Sequence, residues 1–134
     1  MSLSDCKIVN VQKIKDARGS LGIIEEFKEI PFTIKRVYYL YDVPAGQSRG
    51  GHAHKELEEF IFAGNGSFDV ILGDGKTKKR FHLDRPDTGL YVSTMTWLKL
   101  ENFSPGAICI AIASDVYKED DYIRDYKTFL KSIK

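Results

Sequence analysis

His52 and His54 are the side chains in this sequence best suited to chemistry. A neutral imidazole, with an ordinary pKa of about 6.5, both takes and gives a proton near neutral pH. Residues two apart on an extended strand project to the same face, so the pair would share one wall of whatever that face encloses. Two imidazoles there suit a substrate that exchanges protons at adjacent atoms. Joined by a carboxylate such as Glu59, they suit a transition metal. The plainer role is a pair of histidines that hold a turn through hydrogen bonds.

A shared face requires a strand, and the surrounding chain is built of strands. Basic and small residues precede the histidines, acidic residues follow, and an apolar run over 59–63 ends in Gly64, Asn65 and Gly66. That glycine-rich turn between two apolar runs predicts a hairpin into a return strand over 67–72, and Gly73, Asp74 and Gly75 predict a second hairpin into 76–83. Residues 6–11, 21–27, 34–43, 89–92, 96–100 and 107–113 carry β-branched and aromatic side chains between turn residues. Roughly eight to ten short strands at this spacing predict an all-β sandwich or barrel. At the end, Tyr122, Ile123, Tyr126, Phe129, Leu130 and Ile133 recur three or four apart, which predicts an amphipathic helix over 122–133 capped by Asp120 or Asp121.

The bulk properties narrow the function. A chain of 134 residues predicts one domain, 1–134, with an ordinary core. A net charge of +1 gives no nucleic-acid surface. No apolar run reaches membrane-spanning length, and the N-terminal residues lack a signal-peptide layout. Cys6 and Cys109 form neither a CxxC nor a disulfide framework, which fits a reducing, cytoplasmic setting.

Gly46, His52, His54, Glu59 and Gly66 stand in the pattern G(x)5HxH(x)4E(x)6G. This resembles the first motif of the cupins, whose fold is a small jelly roll or double-stranded β-helix. The resemblance agrees with the strand count. Many cupins bind metal through these two histidines and the glutamate, joined by a histidine from a second motif. Here that second position holds Leu98, and His82 lies in a different strand. The expectation is therefore proton transfer without a metal or other cofactor.

Longer matches narrow the family. Arg49-Gly50-Gly51-His52-Ala53-His54-Lys55 resembles the signature of the dTDP-sugar 3,4-ketoisomerases. So do Asp16-x-Arg18-Gly19-x-Leu21, Lys35-Arg36-Val37-Tyr38-Tyr39, the stretch Leu83-Asp84-x-Pro86-x-x-Gly89-Leu90-Tyr91, and Asp121-Tyr122-Ile123-Arg124-Asp125-Tyr126. These run nearly end to end in the family's order. The chain departs from the family at Ser93 to Thr96, at Leu98, and at Glu59, where the family has Gln. The first two departures bear on one wall of the pocket and on product stereochemistry.

The resemblance implies an isomerase that moves the ketone of dTDP-4-keto-6-deoxyglucose from carbon 4 to carbon 3 through an enediol. Its product would feed an aminotransferase in deoxy-amino sugar biosynthesis. It assigns the carbon proton transfer to His54 and a polarising or second proton-transfer role to His52, an order the residues themselves leave open. Tyr39 is a candidate relay, with packing as its other role. On the strand over 34–43, Val37, Tyr39 and Tyr41 share one face and Arg36, Tyr38 and Leu40 the other, and either could face inward. Arg49 and Arg36 are candidates for the diphosphate, Trp97 for stacking or core, and Glu59 for orienting a histidine or for a solvated strand end. Arg18 reads as a turn residue and His82 as a surface one. A homodimer is expected by analogy. Three other readings stand beside the isomerase: a 3,5-epimerase on the same fold, a metal-dependent oxygenase, and a non-catalytic sugar-nucleotide-binding cupin.

Overall fold

The computed structural model describes residues 3–133. Two five-stranded antiparallel sheets face each other. One has the order β1 (Lys7–Asn10), β9 (Thr88–Val92), β6 (Glu59–Asn65), β11 (Ile108–Ala113) and β4 (Arg36–Leu40). The other runs β12 (Tyr122–Ile123), β5 (Arg49–His54), β10 (Trp97–Glu101), β7 (Phe68–Gly73) and β8 (Lys78–Leu83). A separate hairpin, β2 (Gln12–Asp16) with β3 (Gly19–Ile23), stands off the sandwich. Its turn carries Arg18, whose guanidinium pairs with Asp16 at 2.7 Å. The expected all-β cupin sandwich is the observed architecture.

Alternation builds the core. Ile61, Phe68, Leu72, Leu90, Leu98 and Cys109 are buried between the sheets. The neighbouring strands β6 and β11 bury apolar side chains from both faces, whereas β7 carries Asp69 on its outer face, paired with Arg80 and His82.

The first expected hairpin does not form. β6 pairs with β9 and β11, whereas β7 pairs with β8 and β10, so residues 66–67 carry the chain from one sheet to the other. Gly66 makes the crossing at φ +65, where an added Cβ would meet the Ser104 hydroxyl and Ala107. Ser67 and Ser104 lock the neighbouring crossing with bonds of 2.8 and 2.9 Å. The second hairpin, β7 to β8, does form. The Asp74 carboxylate caps its turn, accepting from the N–H groups of Lys76 and Thr77.

The terminal helix is shorter than its periodicity predicts. α1 spans Tyr126–Ser132, and Asp125 is its N-cap, accepting from the Thr128 N–H at 3.0 Å. Tyr122 and Ile123 lie outside it and pair as β12 with His54 and Ala53. They obey a strand's period of two, which the helical spacing of the later residues masks. Phe129 is fully buried against Ala53 and Ile123, which contributes about 2 kcal/mol. That contact covers the back of β5, on the side opposite the histidines.

Candidate active site

β5 brings the site together. It runs from exposed Arg49 to buried His54, and its pairing with β10 shifts register between Leu98 and Lys99. Gly50 and Gly51 both have positive φ here. A Cβ on Gly50 would lie 3.0 Å from the Leu98 carbonyl oxygen, so the irregularity requires glycine. Beyond it the alternation is regular. His52 and His54 share the inner face with ring centroids 4.8 Å apart, and the Tyr122 ring covers both, 5.1 and 4.3 Å away.

A cavity of about 580 Å³ opens between β4 on one side and β5 with β10 on the other. Its wall includes His52, Tyr38, Arg36, Arg49, Leu98 and Arg124. His52 reaches this wall, and its Nε2 is buried with no hydrogen-bond partner. His54 lies deeper and is almost fully buried. Burial, with the positive charge of Arg124, pushes the His52 pKa down to about 4. Burial, then His52, Arg36 and Arg124, push that of His54 down to about 3. Both imidazoles are therefore neutral at physiological pH and able to accept a proton.

Behind the histidines lies a carboxyl network. Glu59 is 1 % exposed, so its place is the interior and not a solvated strand end. The Tyr38 hydroxyl donates to Glu59 Oε1 at 2.6 Å. Glu59 Oε2 lies 3.4 Å from His54 Nε2, and Asp121 Oδ2 lies 3.4 Å from His54 Nδ1. With a neutral ring these contacts are not ion pairs. Burial raises the Glu59 pKa, against the opposing effects of Tyr38 and Arg36. Burial and then Glu59 raise that of Tyr38.

Three guanidiniums line the cavity. The Arg36 guanidinium lies 5.4 Å from the Tyr38 ring centre and 5.7 Å from that of Tyr117, and its buried Nε and Nη2 have no hydrogen-bond partner. Arg124 sits 4.2 Å over the Tyr122 ring and is held by both carboxylate oxygens of Glu119. Guanidinium forks of this kind match phosphate oxygens.

Residues 4–134 match the family described as FdtA: WxcM-like, C-terminal. A curated relative from Aneurinibacillus thermoaerophilus, named TDP-4-oxo-6-deoxy-alpha-D-glucose-3,4-oxoisomerase, is 49 % identical over 95 % of this chain and 91 % of its own. A 3,4-ketoisomerase crystal structure from Helicobacter canadensis superposes with a TM-score of 0.94 at 46 % identity, covering 96 % of this chain and 97 % of that one. The chain belongs to the FdtA/WxcM-like 3,4-ketoisomerases. A further member of the family, from Thermoanaerobacterium thermosaccharolyticum, was crystallised as a histidine-to-asparagine variant in complex with TDP-4-keto-6-deoxyglucose. Its TM-score is 0.95 at 34 % identity, over 98 % of this chain and 95 % of its own.

Two residues expected in the ketoisomerase site lie elsewhere. Tyr39 is 61 % exposed on the outer face of β4, and the inward tyrosine is Tyr38. Arg36 and Tyr38 are two apart, so placing Arg36 in the cavity already commits Tyr38 to it and excludes Tyr39. Trp97 packs against Tyr126 and Phe129 beneath α1, and its neighbour Leu98 lines the cavity. His82 is a surface residue paired with Asp69. Arg124, Tyr122 and Asp121 are additions to the site. Read as a strand, residues 122–124 would have placed Tyr122 and Arg124 on one face.

His52, His54 and Glu59 present ligand atoms within 4.8 Å of one another, the beginning of a metal site. The donors fit a metal poorly. Leu98 stands across from His52 in register, so β10 offers no fourth protein ligand there, and the Tyr38 hydroxyl occupies Glu59 Oε1.

Proposed function

We propose that this ketoisomerase converts dTDP-4-keto-6-deoxyglucose into its 3-keto isomer. The observation that carries this reading is His52, which lines a cavity shared with three guanidiniums and whose Nε2 has no hydrogen-bond partner. The ketone at carbon 4 acidifies the hydrogen on carbon 3. His52 removes it, giving an enediol, and a proton returns at carbon 4. The Tyr38 hydroxyl faces the hydroxyl groups that exchange their protons. His54 supports from behind, which reverses the order of the two histidines given above. Arg36, Arg49 and Arg124 suit the diphosphate. The sugar is neither oxidised nor reduced overall, so the reaction needs no redox cofactor. The product suits an aminotransferase, as in deoxy-amino sugar biosynthesis.

The protein acts as a homodimer in the cytoplasm in this reading. Val37 and Tyr39 on edge strand β4, Tyr41 just beyond its end, and Ile14 and Leu21 on the projecting hairpin provide exposed apolar surface suited to a second copy. The free, buried thiols of Cys6 and Cys109 suit a reducing compartment. Light scattering on the purified protein tests the dimer.

The reaction is tested by incubating the protein with dTDP-4-keto-6-deoxyglucose and following the ketone by NMR, with and without a chelator. The expected result is a ketone at carbon 3 in both samples. A ketone that stays at carbon 4, an inverted stereocentre, or activity abolished by the chelator would each overturn the reading.

A further inference from the structure

Two buried polar atoms of the site, His54 Nδ1 and Glu59 Oε2, have no hydrogen-bond partner. Each nonetheless lies 3.4 Å from a complementary group, Asp121 Oδ2 in one case and His54 Nε2 in the other. A neutral imidazole has one donor and one acceptor. If Glu59 were an anion, both ring nitrogens would face carboxylate acceptors, and a single N–H could serve only one. The other nitrogen would hold its lone pair against an oxygen lone pair, in the interior, where an unmet polar group is costly.

If Glu59 instead carries a proton on Oε2, the conflict disappears. Nδ1–H could then be met by Asp121 and Nε2 by the Glu59 Oε2–H after a small adjustment of these 3.4 Å contacts, while Glu59 Oε1 accepts from the Tyr38 hydroxyl. The two carboxyl groups are also placed for these roles. Asp121 receives the N–H groups of Glu56 at 2.8 Å and Leu57 at 3.2 Å, donors that suit an anion. Glu59 lies in the interior with Tyr38 as its only hydrogen-bond donor among the described residues.

We propose that Asp121, His54, Glu59 and Tyr38 form one polarised hydrogen-bond chain, in which Asp121 is a positioning residue that fixes His54 as its Nδ1–H tautomer and Glu59 stands as a neutral carboxylic acid. The backbone reinforces Asp121. Its carbonyl accepts from the Lys55 N–H at 2.9 Å, and Tyr122 pairs directly with His54, so the segment that supplies the carboxylate also grips the end of β5. At the other end of the chain, the Tyr38 hydrogen points inward to Glu59, and Tyr38 lines the cavity. A hydroxyl whose hydrogen is engaged in this way is left with acceptor capacity only. The catalytic consequence rests on the isomerase reading, but the arrangement itself does not.

The test is 15N–1H NMR of histidine-labelled protein without substrate. Wild-type His54 is expected to show a protonated Nδ1 and a bare Nε2. Asp121→Asn leaves an oxygen for the Glu56 N–H and turns an amide donor toward Nδ1, so the tautomer should invert. Glu59→Gln can still donate to Nε2 while accepting from Tyr38, so it should keep the Nδ1–H form. In turnover, Asp121→Asn should lower kcat about 10-fold or more with little change in KM. A wild-type His54 protonated on Nε2, or a Glu59→Gln protein whose tautomer inverts, overturns the proposal. Should Asp121→Asn not fold, those two spectra decide it. Loss of the isomerase reading alone would show as no turnover by wild type with the Nδ1–H tautomer intact.

Discussion

The Tyr38 hydroxyl donates to Glu59 Oε1 at 2.6 Å across the gap between β4 and β6. Those strands are not neighbours in their sheet; β11 lies between them. The bond therefore ties the edge strand that bears Arg36 to the central strand that bears the carboxyl behind the histidines. It also decides which tyrosine of the Tyr38-Tyr39 pair can serve the cavity, because adjacent strand residues face opposite ways.

Substitution of the two tyrosines should separate their roles. Tyr38→Phe removes the hydroxyl of a cavity-lining residue and should lower kcat about 100-fold, the range for loss of one acid–base group. Tyr39→Phe alters the outer face and should stay within about 2-fold of wild type. Steady-state rates on the 4-keto sugar nucleotide measure both, and equal losses would remove Tyr38 from the proton chemistry.

The histidines should separate as well. His52 reaches the cavity wall and His54 does not. His52→Asn should abolish uptake of solvent deuterium at the sugar carbons. His54→Asn should slow net isomerisation while leaving measurable exchange. NMR in D2O reads both quantities, and exchange lost only in the His54 variant would restore the opposite order.

Much of this site was legible in the sequence, for physical reasons particular to each residue. The period of two placed His52 and His54 on one face, and the Gly46-to-Gly66 spacing marked the cupin. The same period, applied consistently to Arg36, would have chosen Tyr38. Trp97 could not be resolved, because an aromatic on a strand serves a core as well as a ligand, and only α1 packing over β10 decides it. Asp121 was hidden because its partner, His54, is a tertiary neighbour far away in sequence. The crossing at 66–67 reads as a hairpin because a glycine-rich turn reports a reversal of the chain, not which sheet receives the next strand.

The pH dependence of catalysis follows from the environment of His52. Its pKa lies at about 4, burial being the main cause, and the proton-accepting form is the neutral one. The acid limb of kcat/KM, which reports the free enzyme, should fall near pH 4 and not near the ordinary histidine value of about 6.5. Rates measured from pH 8 down to 4 should stay flat through pH 6. A limb centred near 6.5 would mean that His52 is solvated or is not the base.

Stability should vary with pH through the same burial. The unfolded histidines take up protons near 6.5, while the folded ones resist until about 4 for His52 and about 3 for His54. As pH falls through that interval the unfolded state binds more protons, so unfolding becomes easier. The two together should cost on the order of a few kcal/mol by pH 4. Glu59 acts with the opposite sign, since its raised pKa favours the folded state as protons are added. His54→Asn removes one histidine's share and should flatten the loss between pH 6.5 and 4. Urea unfolding at pH 7, 5.5 and 4.5 measures it, and parallel curves for wild type and variant would show that His54 is not held neutral by the fold.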